Sequence, residues 1–307
     1  MLSYACRRLL GAVPTLLVLV TLAFFMMRAT PGGPFDRERE VEPQVRVQLE
    51  HAYHLDEPLL KQYGRYLGAL LRGDLGPSFK YADRSVNELI AEGFPVSLTL
   101  GALAMLLALL AGGALGAFAA LRQGTWLDPL LMTLAMTGLS IPNFVVAPLL
   151  ILVFAVALGW LPAGGWAGAS PAHLLLPVIA LALPQVATIA RLLRGSLIEV
   201  LQAPYIRTAR AKGLGEREVL LRHALKPALL PVLSYLGPAS AGLITGSVVI
   251  EQIFAVPGLG RYFVTAALNR DYTVVMGVVI FYGALVILFN FIVDLLYGAL
   301  DPRVRPR

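Results

Sequence analysis

Long apolar runs separated by short polar segments dominate this sequence. Leu9–Met27 and Pro95–Leu121 contain no charged residue. Because a helix needs about 20 apolar residues to cross the hydrocarbon core of a bilayer, each of these runs is long enough to span a membrane. No alternation of period two runs through them, so the pattern predicts an all-α, polytopic membrane protein with six transmembrane helices. The four remaining runs lie at residues 129–157, 173–190, 227–250 and 272–293.

The basic residues of the short loops predict how these helices are oriented. Cytosolic loops of membrane proteins carry an excess of Lys and Arg. With the amino terminus in the cytosol, that side holds 14 basic residues, eight of them within 191–226. The short loops on the opposite side hold only Arg261 and Arg270. Both termini are therefore predicted to be cytosolic.

Composition and charge divide the chain near residue 94. Residues 1–94 contain the first helix and an extracytoplasmic segment, 29–93, that is rich in both acidic and basic side chains. Within it, apolar residues at helical spacing between 59 and 71 predict an amphipathic helix that caps the membrane face. Residues 95–307 form the core, with five helices and a cytosolic loop at 191–228. We expect the first helix to be retained, since no small-residue cleavage site precedes Arg28.

The overall composition excludes several classes of protein. Of the 307 residues, 57% are hydrophobic and 14% are charged, whereas an ordinary soluble domain has about 25% charged residues. A soluble enzyme and a disordered chain are excluded on this ground, and the single cysteine, Cys6, excludes an internal disulfide framework. The excess of basic residues in the predicted cytosolic loops accounts for the net charge of +6, so we expect no nucleic-acid partner.

Recognisable catalytic motifs are missing from the sequence. It contains no His-Glu-x-x-His, no Gly-x-Ser-x-Gly and no phosphate-binding Gly-x4-Gly-Lys-Ser/Thr motif. His51 and His54 lack a third ligand at matching spacing, which favours solvated side chains over a metal pair. Ion-coupled carriers keep ionisable groups within their spans, whereas the cores of these runs carry none. We therefore expect neither an enzyme nor an ion-coupled carrier, and no metal or cofactor on this chain.

The cytosolic loop contains a short helix with clear ends. Pro204 suits the first turn of a helix, and Gly213 suits its C-terminal end. Such a helix is typical of an element that docks into a groove of a partner, and the alternative is an ordinary positively charged loop. A second short helix predicted at 216–225 favours docking. The residues of the first helix that share one face are Tyr205, Ile206, Ala209 and Lys212.

Several motifs resemble those of one transporter family. Residues 205–214, Tyr-Ile-Arg-Thr-Ala-Arg-Ala-Lys-Gly-Leu, followed by 222–232, resemble the coupling-loop signature of binding-protein-dependent ABC importer permeases. Segments 73–79, 257–260 and 270–272 resemble the dipeptide, oligopeptide and nickel branch of that family. The resemblance extends over essentially the whole chain. Shorter stretches look most like the B-type permease subunit of oligopeptide importers, among them Phe25–Arg28, Ser78–Tyr81 and Lys226–Tyr235.

The resemblance implies a type I ABC importer permease that transports oligopeptides and is not an enzyme. Such a permease pairs with a second related permease, two ATPase subunits and an extracytoplasmic peptide-binding protein in the bacterial cytoplasmic membrane. ATP and Mg would bind to the partner ATPases. Dipeptides, nickel and glutathione are alternative substrates within the family. The residues expected to couple to the ATPases are Tyr205, Ile206, Arg207, Ala209, Arg210, Lys212 and Gly213.

Neutral polar residues in the apolar runs mark a candidate translocation path. They are Ser140, Asn143, Ser234, Ser240, Thr245 and Ser247. Pro142 predicts a kink in the third span. Hydroxyls in membrane helices more often mediate helix packing than line a pore, so packing is the alternative function of these residues. Outside the fifth span, Glu251, Tyr262 and Phe263 are the candidate outer gate or contact with the binding protein.

Overall fold

The computed structural model describes residues 2–29, 44, 47, 48, 51, 53–81 and 83–300. The predicted cytosolic tail at 301–307 and most of the predicted external residues 30–52 lie outside this part of the chain. The α-helices are α1 (Leu2–Ala29), α2 (Leu59–Leu70), α3 (Val86–Leu121), α4 (Leu127–Ser140), α5 (Asn143–Leu150), α6 (Pro171–Leu201), α7 (Pro204–Ala211), α8 (Glu216–Glu218), α9 (Leu225–Ala228), α10 (Leu230–Gly246), α11 (Val248–Ile253), α12 (Leu259–Leu268) and α13 (Tyr272–Leu300). Two π-helical segments, Ile151–Ala157 and Val219–Ala224, extend α5 and α8.

The described helices confirm an all-α protein with membrane-spanning segments. Five segments are long and apolar enough to cross a bilayer, and the pair α4–α5 supplies a sixth if it is counted as one span. The fifth predicted span continues across a break at Ser247, so that α10 and α11 together cover Leu230–Ile253. The five segments are Leu10–Ala29, Val86–Leu121, Pro171–Leu201, Leu230–Ile253 and Tyr272–Leu296.

The third span bends far more sharply than the predicted kink. Helices α4 and α5 meet at 98° around Ile141 and Pro142. Proline has no N–H to donate, and its ring pushes the preceding residue out of the helical region. Ile141 accordingly adopts an extended conformation, with φ −100° and ψ 121°, and Pro142 becomes the N-cap of α5. The span is therefore two helices in different directions rather than one kinked helix.

Helix α3 is the longest element and begins well before the uncharged run that starts at Pro95. The Ser85 side chain accepts a hydrogen bond from the Glu88 N–H, and the Glu88 side chain accepts one from the Ser85 N–H. This capping box satisfies two of the free donors at a helix start, which explains why the helix begins at Val86. The predicted boundary between residues 94 and 95 falls inside this continuous helix.

Close packing between α3 and α6 forms the centre of the fold. A Cβ atom added at Gly112 would lie 2.7 Å from the Val186 carbonyl oxygen, and one added at Gly116 would lie 2.5 Å from that of Ala190. Membrane helices approach each other through such small residues, because lipid tails provide no hydrophobic force that drives helices together. The two helices therefore pack backbone to backbone, and α4 and α10 both pack against this pair.

The external segment packs on the first helix. Helix α2 confirms the amphipathic helix predicted between residues 59 and 71. The Tyr63 hydroxyl and the Thr21 hydroxyl share a 2.6 Å hydrogen bond, and the Tyr63 ring contacts the rings of Phe24 and Phe25 in tilted arrangements. Leu60 on α2 is 77% exposed. Helix α2 thus contacts α1 through Tyr63, whereas Leu60 does not take part in this contact.

Candidate functional site

Helix α7 lies where the sequence predicts the coupling helix. It begins at Pro204, in the first turn, and ends at Ala211 with Lys212 as C-cap. Gly213 follows with φ +83°, a left-handed conformation that glycine adopts without steric cost. The predicted helix and both of its end signals are confirmed.

The apolar side chains of α7 face the interior of this chain. Ile206 and Ala209 are buried, and they belong to the same core cluster as Val219 of the following π-helical segment. Tyr205 is 48% exposed, and Arg207 and Lys212 are exposed. The predicted face therefore has two parts. Ile206 and Ala209 hold the helix onto its own subunit, whereas Tyr205 and Lys212 at its edges are exposed.

Arg210 fixes α7 to the segment that follows it. Its guanidinium donates two hydrogen bonds to the Glu216 carboxylate, at 2.8 and 3.0 Å. The hydrogen bond to Glu216 raises the pKa of Arg210. Gly213 makes the turn between the two partners. Arg210 and Gly213 thus shape the loop, whereas Tyr205, Arg207 and Lys212 form its exposed surface.

An ion pair that the sequence analysis does not identify joins α6 to α4. Arg194 on α6 donates from Nε and Nη2 to the two carboxylate oxygens of Asp128, both at 2.6 Å. Asp128 is buried and Arg194 is partly exposed. In the sequence, Arg194 is only one of the basic residues that predict the orientation of the helices. The sequence spacing gives no indication that residues 128 and 194 meet.

The predicted path residues occupy different environments. Ser140 is exposed, and it borders a groove of about 460 Å³ on α4 that Met132, Thr133, Met136 and Thr137 also line. Asn143 is half-buried beyond the bend. On α10 and just after it, Ser234 is exposed, Ser240 and Thr245 are half-buried, and Ser247 is fully buried.

The hydroxyls among these residues also serve their own helices. Ser140, Ser234 and Thr245 each donate to the backbone carbonyl four residues earlier. These bonds lie within single helices, so they test neither a path nor packing between helices, and an oxygen that donates one bond retains capacity to accept others. The assignment of these residues to a path stays a prediction, and the groove beside Ser140 gives it the clearest structural setting.

Glu251 lies inside the membrane-spanning segment rather than outside it. Helix α11 continues the fifth span, and the Glu251 side chain is fully buried. Its Oε1 accepts hydrogen bonds from the Ser97 hydroxyl at 2.6 Å and from the Ser247 hydroxyl at 2.5 Å. The prediction that Glu251 lies outside the fifth span is therefore wrong, because the helix resumes immediately after the break. A surface contact with a binding protein is excluded for this residue in the conformation described.

Tyr262 and Phe263 lie on α12, close to the outer end of α3. The Tyr262 hydroxyl donates to the Glu92 carboxylate at 3.2 Å, and its ring meets that of Tyr81 edge to face. Phe263 is half-buried against the cluster that contains Val86. We call α12 the outer-mouth helix, since it lies at the extracytoplasmic end of the predicted topology. The role of its side chains as a gate stays a prediction.

Two of the motifs that are separated in the sequence meet in space. Asp271 is fully buried, and its carboxylate accepts hydrogen bonds from the hydroxyls of Ser78 and Thr273. The Lys80 and Val274 N–H groups also donate to it, each at 3.3 Å. The external segment is thus fixed to the start of α13 by contacts between the motifs at 73–79 and 270–272.

The comparison with known families decides the class of protein. The sequence pattern described as "Binding-protein-dependent transport system inner membrane component" matches residues 112–306. A companion pattern for the N-terminal part of such components matches residues 1–101. The chain belongs to this family. The two patterns meet between residues 101 and 112, while the predicted division at 94 stays a prediction.

Individual members of the binding-protein-dependent transport family match over nearly their full length. The oligopeptide transport system permease protein OppB of Escherichia coli is 56% identical over 305 residues, which cover 99% of this chain and 100% of that protein. OppB of Haemophilus influenzae is 54% identical with the same coverage. The dipeptide transport system permease protein DppB of Bacillus subtilis is 48% identical over 99% of this chain and 98% of its own.

A solved structure shows the same fold. The MetNI methionine ABC transporter in an inward-facing conformation matches with a TM-score of 0.56 at 19% identity, over 69% of this chain and 96% of that chain. The predicted type I importer permease fold is confirmed, as is a multi-pass location in the inner membrane. As a family member, the chain is a transport component rather than an enzyme, and separate ATPase subunits hydrolyse ATP. Family membership also implies a binding protein and a second permease as partners.

Proposed function

We propose that this chain is the permease subunit of an ATP-driven importer of oligopeptides. The observation that carries the proposal is the 56% identity to OppB of Escherichia coli over 99% of the chain. The identity to DppB of Bacillus subtilis is lower, at 48% over the same share. An extracytoplasmic peptide-binding protein delivers the peptide, and the chain forms half of the translocation path together with a second, related permease.

The exposed edges of α7 contact the ATPase. Tyr205, Arg207 and Lys212 present one aromatic ring and two positive charges at the surface. The buried Ile206 and Ala209 hold the helix onto the core, so a movement of α7 is passed to the subunit rather than lost in a loose loop. Such coupling requires contacts that differ between two states of the complex. ATP and Mg are held by the two ATPase subunits, and this chain carries no cofactor.

The groove on α4 supports Ser140 as part of the path. Its lining alternates methionines with hydroxyl-bearing side chains. Methionine adapts to different apolar shapes, and hydroxyls can both donate and accept hydrogen bonds. A surface of this kind suits peptides whose side chains vary, since no fixed charge selects for one of them.

The test is uptake of labelled peptides by proteoliposomes that contain the complete complex. We expect ATP-dependent accumulation of labelled oligopeptides when the binding protein is present, roughly tenfold over vesicles without ATP, which corresponds to about 1.4 kcal/mol. Vesicles with a non-hydrolysable ATP analogue provide the control. Accumulation without ATP would contradict the proposal.

The same assay distinguishes oligopeptide transport from the alternative, transport of dipeptides. The 48% identity to a dipeptide permease is the observation that favours it. Competition with unlabelled dipeptides, nickel and glutathione distinguishes the substrates. Preferential uptake of dipeptides, with exclusion of longer peptides, would overturn the oligopeptide assignment and leave the family assignment intact.

A further inference from the structure

The buried carboxylate of Glu251 joins three separate parts of the fold. Its Oε1 accepts hydrogen bonds from Ser97 on α3 and from Ser247 at the start of α11, and its Oε2 accepts one from the Arg261 N–H on α12 at 3.3 Å. The Glu251 and Ser97 side chains are fully buried. Among the ion pairs in the described part of the chain, Glu251 takes part in none, so neutral donors alone stabilise its oxygens.

Ser97 connects this carboxylate to the outer-mouth helix a second time. The Ser97 hydroxyl donates to Glu251 Oε1 and accepts from the Leu259 N–H at 2.9 Å. Leu259 is the first residue of α12, where backbone N–H groups have no partner within the helix. A single hydroxyl on α3 thus satisfies both the carboxylate and the start of α12.

Glycines allow the carboxylate to approach the backbone of the turn before α12. A Cβ atom at Gly258 would collide with the Glu251 carboxyl group, and one at Gly260 would lie 2.9 Å from its Oε2. Gly93 on α3 meets the Leu259 Cα in the same way, at 2.8 Å from an added Cβ. The residues 257–260 are therefore packed around Glu251 on one side and α3 on the other.

We propose that Glu251 is the positioning residue that makes the outer-mouth helix follow α3 during transport. This inference rests on the proposed function. Helix α3 packs on α6 through Gly112 and Gly116, and α6 leads into α7 through only two residues. A movement of α7 reaches α12 through α6 and α3, provided that the Glu251 network holds α12 in place. Without this network, ATP hydrolysis continues, but the outer-mouth helix no longer moves with α3.

The two serines provide a matched pair of variants. Both donate to the same carboxylate oxygen, but Ser97 reaches it from α3, whereas Ser247 is four residues earlier in the chain than Glu251. Each hydroxyl donates to Oε1, so each serine contributes to holding the buried carboxyl group in place. Of the two serines, only Ser97 links the carboxylate to another helix, in addition to the Arg261 N–H on α12.

The experiment measures peptide uptake and ATP hydrolysis of the reconstituted complex in the same vesicles. We expect Ser97→Ala to lower the uptake per ATP hydrolysed roughly tenfold, and Ser247→Ala to change it less than about twofold. Glu251→Gln keeps the shape of the side chain but places an N–H₂ group against existing donors, and it should resemble Ser97→Ala. Equal effects of the two serine variants would overturn the proposal, because they would show that the link to α3 has no special importance.

Two further measurements keep the outcome decisive. Glu92→Gln alters an exposed acceptor of Tyr262 on the same pair of helices, and we expect it to change the ratio less than about threefold. A fall in uptake and ATPase activity together, in proportion to lost assembly, would contradict a positioning role. If the wild-type complex imports no oligopeptide, the proposed function fails. If it does and the Ser97→Ala ratio is unchanged, only this inference fails.

Discussion

Asp128 and Arg194 form an ion pair with two hydrogen bonds, and this pair joins α4 to α6. Both N–H···O distances are 2.6 Å, and the paired atoms lie on α4 and α6. Helix α6 leads into α7, and α4 carries the groove beside Ser140. Because a planar guanidinium matches a carboxylate with two parallel bonds, the pair fixes both the distance and the relative orientation of the helices.

Removal of either partner should destabilise the protein. Asp128→Asn leaves the guanidinium without its counter-charge, and we expect a loss of about 2 kcal/mol in the free energy of unfolding, since breaking a largely buried pair costs more than a surface pair contributes. The measurement is thermal unfolding of the purified protein in detergent. Arg191→Gln, an exposed position one turn earlier on α6, is the control and should leave the melting temperature unchanged. Equal melting temperatures for Asp128→Asn and wild type would contradict the structural role.

The glycines between α3 and α6 make a second prediction. Gly112→Ala and Gly116→Ala each place a methyl group against a backbone carbonyl that has no room to move. We expect about 1–3 kcal/mol of destabilisation for each, as is typical when a packed interior is overfilled. Gly113→Ala is the matched control, because a Cβ there meets nothing within 4 Å. Alanine favours helices more than glycine does, so the control should be neutral or slightly stabilising. A loss in the control as large as in Gly116→Ala would show that the contact between α3 and α6 does not cause the destabilisation.

The sequence predicts the elements of this fold better than their contacts. Apolar runs locate the spans because the bilayer sets a required length, and Pro204 and Gly213 locate α7 because helix ends have specific chemistry. The long-range pair of Asp128 with Arg194 has no such local signal. The same is true of Ser97, which lies in an uncharged run and acquires its partners only when α3, α11 and α12 are packed together.

The misplacement of Glu251 has a physical reason. An acidic residue next to an apolar run normally marks its end, since an ionised group in hydrocarbon is costly. Here two serine hydroxyls and a backbone N–H satisfy the carboxylate, so the helix continues past Ser247 and buries the acid. Buried polar groups of this kind are recognised only when their partners are located.

The attachment of the external segment makes a third prediction. Asp271→Ala removes the acceptor of the Ser78 and Thr273 hydroxyls and of two backbone N–H groups. We expect residues 73–81 to become accessible to a protease from the extracytoplasmic side, because buried donors without a partner cost about 1–3 kcal/mol each. Asp74→Ala is the control, since this exposed carboxylate accepts only from the nearby Gly76 N–H in the described contacts. Equal protease resistance of Asp271→Ala and wild type in right-side-out vesicles would refute the attachment.

The two sides of α7 make the fourth prediction, because two neighbouring residues differ fully in their burial. Ile206 is fully buried and Arg207 is exposed. Ile206→Ala removes core contacts and should lower the free energy of unfolding of the isolated subunit by about 2–4 kcal/mol. Arg207→Ala should leave it within about 0.5 kcal/mol of wild type.

In the assembled complex the order of effects should differ. Arg207→Ala removes a charge from the surface proposed to contact the ATPase, so it should reduce ATP-dependent uptake while the subunit melts normally. Arg217→Ala removes an exposed positive charge outside α7 and serves as the control for charge alone. Since like charges at similar exposure contribute similarly to nonspecific attraction, a specific contact requires the Arg207 variant to lose at least about fivefold more uptake than the Arg217 variant. Equal losses would show that the basic loop attracts its partner only through its overall charge and that α7 has no specific contact there.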